Sequence, residues 1–106
     1  MKTGFIIFDC MNSLGEITRT LQALKPELSR LFGVEAIGLF GSVVRDDFTP
    51  QSDVDVVVSF HRPIGIGFVD LAEKLQNALS RKVDLVSRKG IREEYWKAIE
   101  KEVLYV

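Results

Sequence analysis

The chain has 106 residues and a mass of 12.0 kDa, the size of one small domain built round one hydrophobic core. Hydrophobic residues make up 46% and charged residues 27%, which is globular usage and excludes a disordered chain. The 14 Lys and Arg against 15 Asp and Glu leave a net charge of −1; this excludes the cationic surplus of a general nucleic-acid binder, and no direct DNA binding is expected.

The lone Cys10 and lone His61 exclude a disulfide framework, a cysteine zinc cluster and an HExxH metal site, and leave little room for Ser-His-Asp hydrolysis. No apolar run reaches the ~20 residues of a membrane helix. The apolar stretch Phe5-Ile6-Ile7-Phe8 is too short for a signal-peptide core. A soluble cytoplasmic protein is expected, organised as one domain over 1–106, with residues 1–12 as an extra strand or partner-binding arm.

In chain order, Ser13-Leu14-Gly15-Glu16 fits a capping box. Leu14, Ile17, Leu21, Leu24, Leu28 and Leu31 follow as one apolar helical stripe. Pro26 predicts a break or kink in this helix, and Gly33 its end, giving a broken helix over 13–32. Val34 to Phe40, short and apolar between Gly33 and Gly41, predicts a strand. Residues 42–52 are polar and turn-rich. Asp53 to Phe60, β-branched at four of eight positions, predicts the clearest strand of the chain. Pro63, Gly65 and Gly67 mark a loop. Phe68, Leu71, Leu75, Ala78 and Leu79 mark a helix, residues 82–86 a shorter strand, and Ile91, Tyr95, Ile99 and Val103 a last helix before Leu104-Tyr105-Val106. Helices alternate with strands, so the class is α/β, with a small sheet covered on at least one face.

Asp46, Asp47, Asp53 and Asp55 crowd into ten positions. Asp46 and Asp47 read as a solvated acidic loop. Asp53 and Asp55 stand two apart on the clearest strand and so project from one face. Side by side, like charges raise each other's pKa unless a cation lies between them, and Mg²⁺ with oxygen ligands is the natural neutraliser. Asp84 is a carboxylate inside the apolar run Val83-Asp84-Leu85-Val86. If that strand lies beside the Asp53–Asp55 strand, three carboxylates converge, a number that a two-metal phosphoryl-transfer site can use; otherwise Asp84 caps or faces solvent at a strand end. Gly41-Ser42 follows the first strand, where glycine lets the backbone approach a phosphate and serine adds a hydroxyl and an amide. Arg45, one turn on, could neutralise a triphosphate oxygen or pair with Asp46 or Asp47.

Gly41-Ser42, ten intervening residues, then Asp53-Val54-Asp55 resembles the signature of the DNA polymerase β-type nucleotidyltransferase superfamily. The stretches Leu39–Arg45, Ser52–Val58, Arg81–Val86 and Val103–Val106 are similar to the minimal nucleotidyltransferases, the MntA-like antitoxins found with HEPN-domain toxins. The resemblance covers roughly residues 13–106. It implies the nucleotidyltransferase fold, a small mixed sheet of three or more strands flanked by helices, and transfer of AMP from ATP with Mg²⁺, two ions. It implies Asp53, Asp55 and Asp84 as catalytic and metal-holding residues, and Gly41, Ser42, Arg45 and Ser52 at the nucleotide. The acceptor it implies is a tyrosine of a cognate HEPN toxin, silenced by AMP in a hetero-oligomer that completes the active site. Asp46 departs from the glycine often found after the family's arginine. Two rivals remain: an antitoxin that neutralises its toxin by covering it, and a nucleotidyltransferase for a small-molecule acceptor. His61 reads as a polar loop residue, Tyr95 and Trp96 as core or interface aromatics, and Cys10 has no activating neighbour.

Overall fold

The computed structural model describes residues 13–45, 48–49 and 51–106. The arm or strand expected over residues 1–12, Cys10 within it, and the loop acids Asp46 and Asp47 lie outside these. In order come α1 (Leu14–Phe32), β1 (Val34–Phe40), a 3-10 turn (Gly41–Val44), β2 (Val54–Phe60), α2 (Gly67–Leu79), β3 (Val83–Ser87), α3 (Glu93–Ile99) and β4 (Leu104–Tyr105). Two further 3-10 turns, Arg88–Gly90 and Glu100–Glu102, lead into and out of α3.

Ser13 starts α1 by accepting the Glu16 N–H at 3.1 Å, while its own hydroxyl donates to the Glu16 carboxylate at 3.2 Å, one half of the expected capping box. Gly33 ends the helix at φ +73° with its N–H on the Ser29 carbonyl. The predicted break at Pro26 is absent, and one helix runs through it. Pro26 lacks the N–H that would reach the Gln22 carbonyl, but both residues are exposed, so water can take the freed carbonyl. Leu31, predicted in the stripe, is 48% exposed, because a repeat spaced at 3.5 residues drifts about 20° per heptad round a 3.6-residue helix.

The sheet is mixed, in the order β3-β2-β1-β4. β1 pairs antiparallel with β2 and β4, and β2 pairs parallel with β3 through the α2 crossover. The last strand, not foreseen as one, is two residues long and sits at the edge. Alternation sorts the side chains. Ile37, Leu39, Val54, Val56, Val58, Val83 and Leu85 face α1 and α2, meeting Ile17, Leu21, Leu28, Leu71, Leu75 and Leu79. Phe40 and Val57 face the other way, against Trp96 and Ile99 of α3. The sheet is therefore flanked on both faces, heavily on one and lightly on the other. Among the described residues no helix is long and apolar enough to cross a membrane.

Candidate active site

The lightly covered face carries the acidic residues. Val54 and Val56 point into the main core, so Asp55 between them points to the α3 side. The β2–β3 register sets Asp55 beside Asp84, and since Val83 and Leu85 are core residues, Asp84 shares the face of Asp55. The strand pairing that the sequence left open thus brings these two together. Asp53 precedes the first paired residue of β2 and acts electrostatically on Asp55. Asp84 is exposed, whereas Asp53 and Asp55 are half-buried.

The Asp55 carboxyl is pushed up to about 6, chiefly by burial, then by the charges of Asp84 and Asp53, with a side-chain hydrogen bond to Asp84 adding to the effect and Arg45 opposing it. Among the described residues no three His, Cys, Asp or Glu side chains form a ready-made cation cage. Even so, a half-buried carboxyl that clings to its proton beside two more carboxylates has the donor chemistry of a hard divalent cation site. Mg²⁺ fits these residues.

Gly41 begins the 3-10 turn after β1 at φ +76°, and a Cβ there would run into the Asp55 carboxylate oxygen. Phe40 is the Cα partner of Asp55 across β1–β2, which brings the Gly-Ser turn against the acidic strand. The Gly41 N–H donates to Glu102 Oε1 at 3.1 Å. Arg45 donates to the same carboxylate, Nε to Oε2 at 3.4 Å and Nη2 to Oε1 at 3.3 Å. Glu102, on the turn after α3, was not foreseen: its partners lie 61 and 57 residues away, and no local spacing signals it. Its carboxyl is held below the usual range, first by the bond from Arg45 and then by the Gly41 amide.

The loop entering β2 is clamped by a second residue that sequence reasoning passed over. Arg81 is buried at 6% exposure and reaches the Thr49 carbonyl at 2.8 Å and the Ser52 carbonyl. Its guanidinium also stacks 4.5 Å over the Phe48 ring. The Ser52 hydroxyl is engaged within this loop, accepting the Thr49 N–H at 3.0 Å and bonding the Thr49 hydroxyl at 3.1 Å. His61 follows the opposite end of β2 and lines a cavity of about 600 Å³ with Glu35, Phe60, Arg62 and Arg88; Asp53, Asp55 and Asp84 are not in its walls. Trp96 is buried under the Arg88 guanidinium, 4.2 Å above its ring, while Tyr95 is exposed.

A mixed sheet with acidic residues paired across parallel strands, facing a Gly-Ser turn, defines the nucleotidyltransferase class. The chain belongs to the nucleotidyltransferase domain family, whose model matches residues 21–106. It is 41% identical over 97 residues to the protein adenylyltransferase MntA of Thermococcus cleftensis, spanning 91% of this chain and 98% of that one. A solved minimal nucleotidyltransferase structure superposes with a TM-score of 0.75 at 25% identity, over 87% of this chain and 94% of that one. A toxin–antitoxin structure with AMP-PNP superposes with a TM-score of 0.56 at 26% identity, over 77% of this chain and 62% of that one.

Proposed function

We propose that this chain transfers AMP from ATP to a protein hydroxyl, a tyrosine of a HEPN toxin, and so acts as the toxin's antitoxin. The naming of its Thermococcus relative as a protein adenylyltransferase supports the reaction. The likeness to a toxin–antitoxin solved with AMP-PNP supports both the nucleotide and the setting. The observation that carries the reading is the register that sets Asp55 beside Asp84, with the Gly41 turn packed so closely on Asp55 that no side chain fits between.

In this reading the acceptor oxygen bonds to the α-phosphorus, the bond from that phosphorus to its bridging oxygen breaks, and pyrophosphate leaves. Asp53, Asp55 and Asp84 would hold Mg²⁺, which when bound neutralises charge on the phosphate oxygens. Asp84, the exposed member, takes the proton of the arriving hydroxyl. The Gly41 amide and Ser42 cradle the triphosphate, Arg45 offsets its charge, and Ser52 holds the loop ahead of Asp53. Asp84's exposure also favours an acceptor on a partner's surface over an enclosed small molecule. A cytoplasmic location belongs to the same reading.

The test is the intact mass of the HEPN toxin purified with this chain, beside the Asp53→Asn/Asp55→Asn double variant. AMP additions only with the native carboxylates are expected. An unmodified toxin in both samples would overturn the reading and leave a stoichiometric binder. ATP turnover without any protein partner would point to a small acceptor.

A further inference from the structure

Glu102 occupies the donors that the proposed function assigns to phosphate. The Gly41 N–H has one hydrogen to give, and it points at Glu102 Oε1 at 3.1 Å. Both carboxylate oxygens are also taken by the Arg45 guanidinium, at 3.3 and 3.4 Å. A main-chain amide in a left-handed glycine turn together with an arginine fork is an anion-binding donor set, suited to a phosphate as well as to a carboxylate. We propose that Glu102 is an anion placeholder: its carboxylate and the nucleotide's phosphates compete for the Gly41 amide and Arg45, so that loading the site requires Glu102 to swing out.

The contact is built to be displaceable. The side chains of Arg45 and Glu102 are 53% and 30% exposed, so water can solvate each when they part, and such pairs hold weakly. Glu102 closes the short 3-10 turn between α3 and the two-residue β4, a segment anchored by Val103 in the minor core and by the Val106 N–H on the Ile37 carbonyl at 2.9 Å. The carboxylate can leave its partners by side-chain rotation while those anchors stay. A plain brace would behave in the opposite way: without it the Gly41 turn and Arg45 would lose their order, and nucleotide would bind less well.

The inference rests on the reading of Gly41 and Arg45 as a phosphate cradle, and one titration separates the two. AMP-PNP with Mg²⁺ is titrated calorimetrically into the full chain, into Glu102→Gln, which keeps the side chain's size and removes its charge, and into Glu100→Gln, which makes the same charge change at an exposed neighbour. Thermal midpoints are recorded for all three. Glu102→Gln is expected to bind about two- to five-fold tighter, the weakness of an exposed ion pair setting that scale, with Glu100→Gln unchanged. Equal or weaker binding by a folded Glu102→Gln overturns the placeholder and leaves the nucleotide reading standing, as does equal tightening in Glu100→Gln. If Glu102→Gln does not fold, Glu102 is a brace and the placeholder is overturned. No binding by any of the three overturns the nucleotide reading and the placeholder with it.

Discussion

Position 41 admits only glycine for two separate reasons. Its φ of +76° strains any L side chain, and the space a Cβ would fill belongs to the Asp55 carboxylate. Gly41→Ala is therefore expected to abolish AMP-PNP binding while leaving the main core, which lies on the other face, largely intact; calorimetry with a circular-dichroism melt would check both. Asp55 makes a pH prediction. Its carboxyl titrates at about 6 in the fold against an ordinary 3.8, so the folded state holds a proton that the unfolded chain has already released. The stability this contributes is fully present below about pH 3.8 and lost as pH rises through about 6. Asp55→Asn has no such proton, so urea titrations from pH 4 to 8 should show the wild type losing ground to the variant across that window. A constant difference between them would contradict the assignment.

The elements differ in how far local pattern defines them. β1 is legible as a short apolar run between two glycines, β2 from its β-branched residues, α2 from its apolar period, and β3 because apolar residues bracket one charge. α1 is legible in extent but not in continuity. Proline rules out a local hydrogen bond, and only the exposed position of Gln22 and Pro26 makes the loss tolerable. Pro26→Ala should restore that bond and raise the free energy of unfolding by about 1–3 kcal/mol, measured by urea denaturation. β4 was missed because two residues carry no periodicity; pairing with β1 creates the strand. Arg81 escaped for a similar reason. A buried guanidinium before a strand looks like any surface arginine until the carbonyls of Thr49 and Ser52 come round to it, 32 and 29 residues distant. Arg81→Ala would take the guanidinium from both carbonyls, the Thr49 carbonyl keeping the Ser52 N–H, and is expected to lower stability by about 1–3 kcal/mol and to open the loop ahead of β2 to limited proteolysis.

At the scale of the molecule, the two sheet faces divide the work. One carries the main core, where Leu75→Ala would open a cavity beneath a residue with no exposed surface, lowering stability by about 2–5 kcal/mol in the same denaturation assay. The other is only lightly roofed by α3 and keeps its polar residues accessible. Which carboxylates stand on which face was legible from strand alternation alone. That Asp55 and Asp84 stand side by side was not, because strand order and register arise from the α2 crossover and the packing beneath it. This coupling makes assembly of the site self-checking. Sliding β3 by one residue against β2 would turn Asp84 into the greasy layer under α1 and α2, and Val83 and Leu85 out to water. The apolar side of the sheet thus acts as a proofreader for the polar side. A chain that packs wrongly yields no half-active enzyme with a misplaced acid, since the error that would misplace it also forfeits the fold.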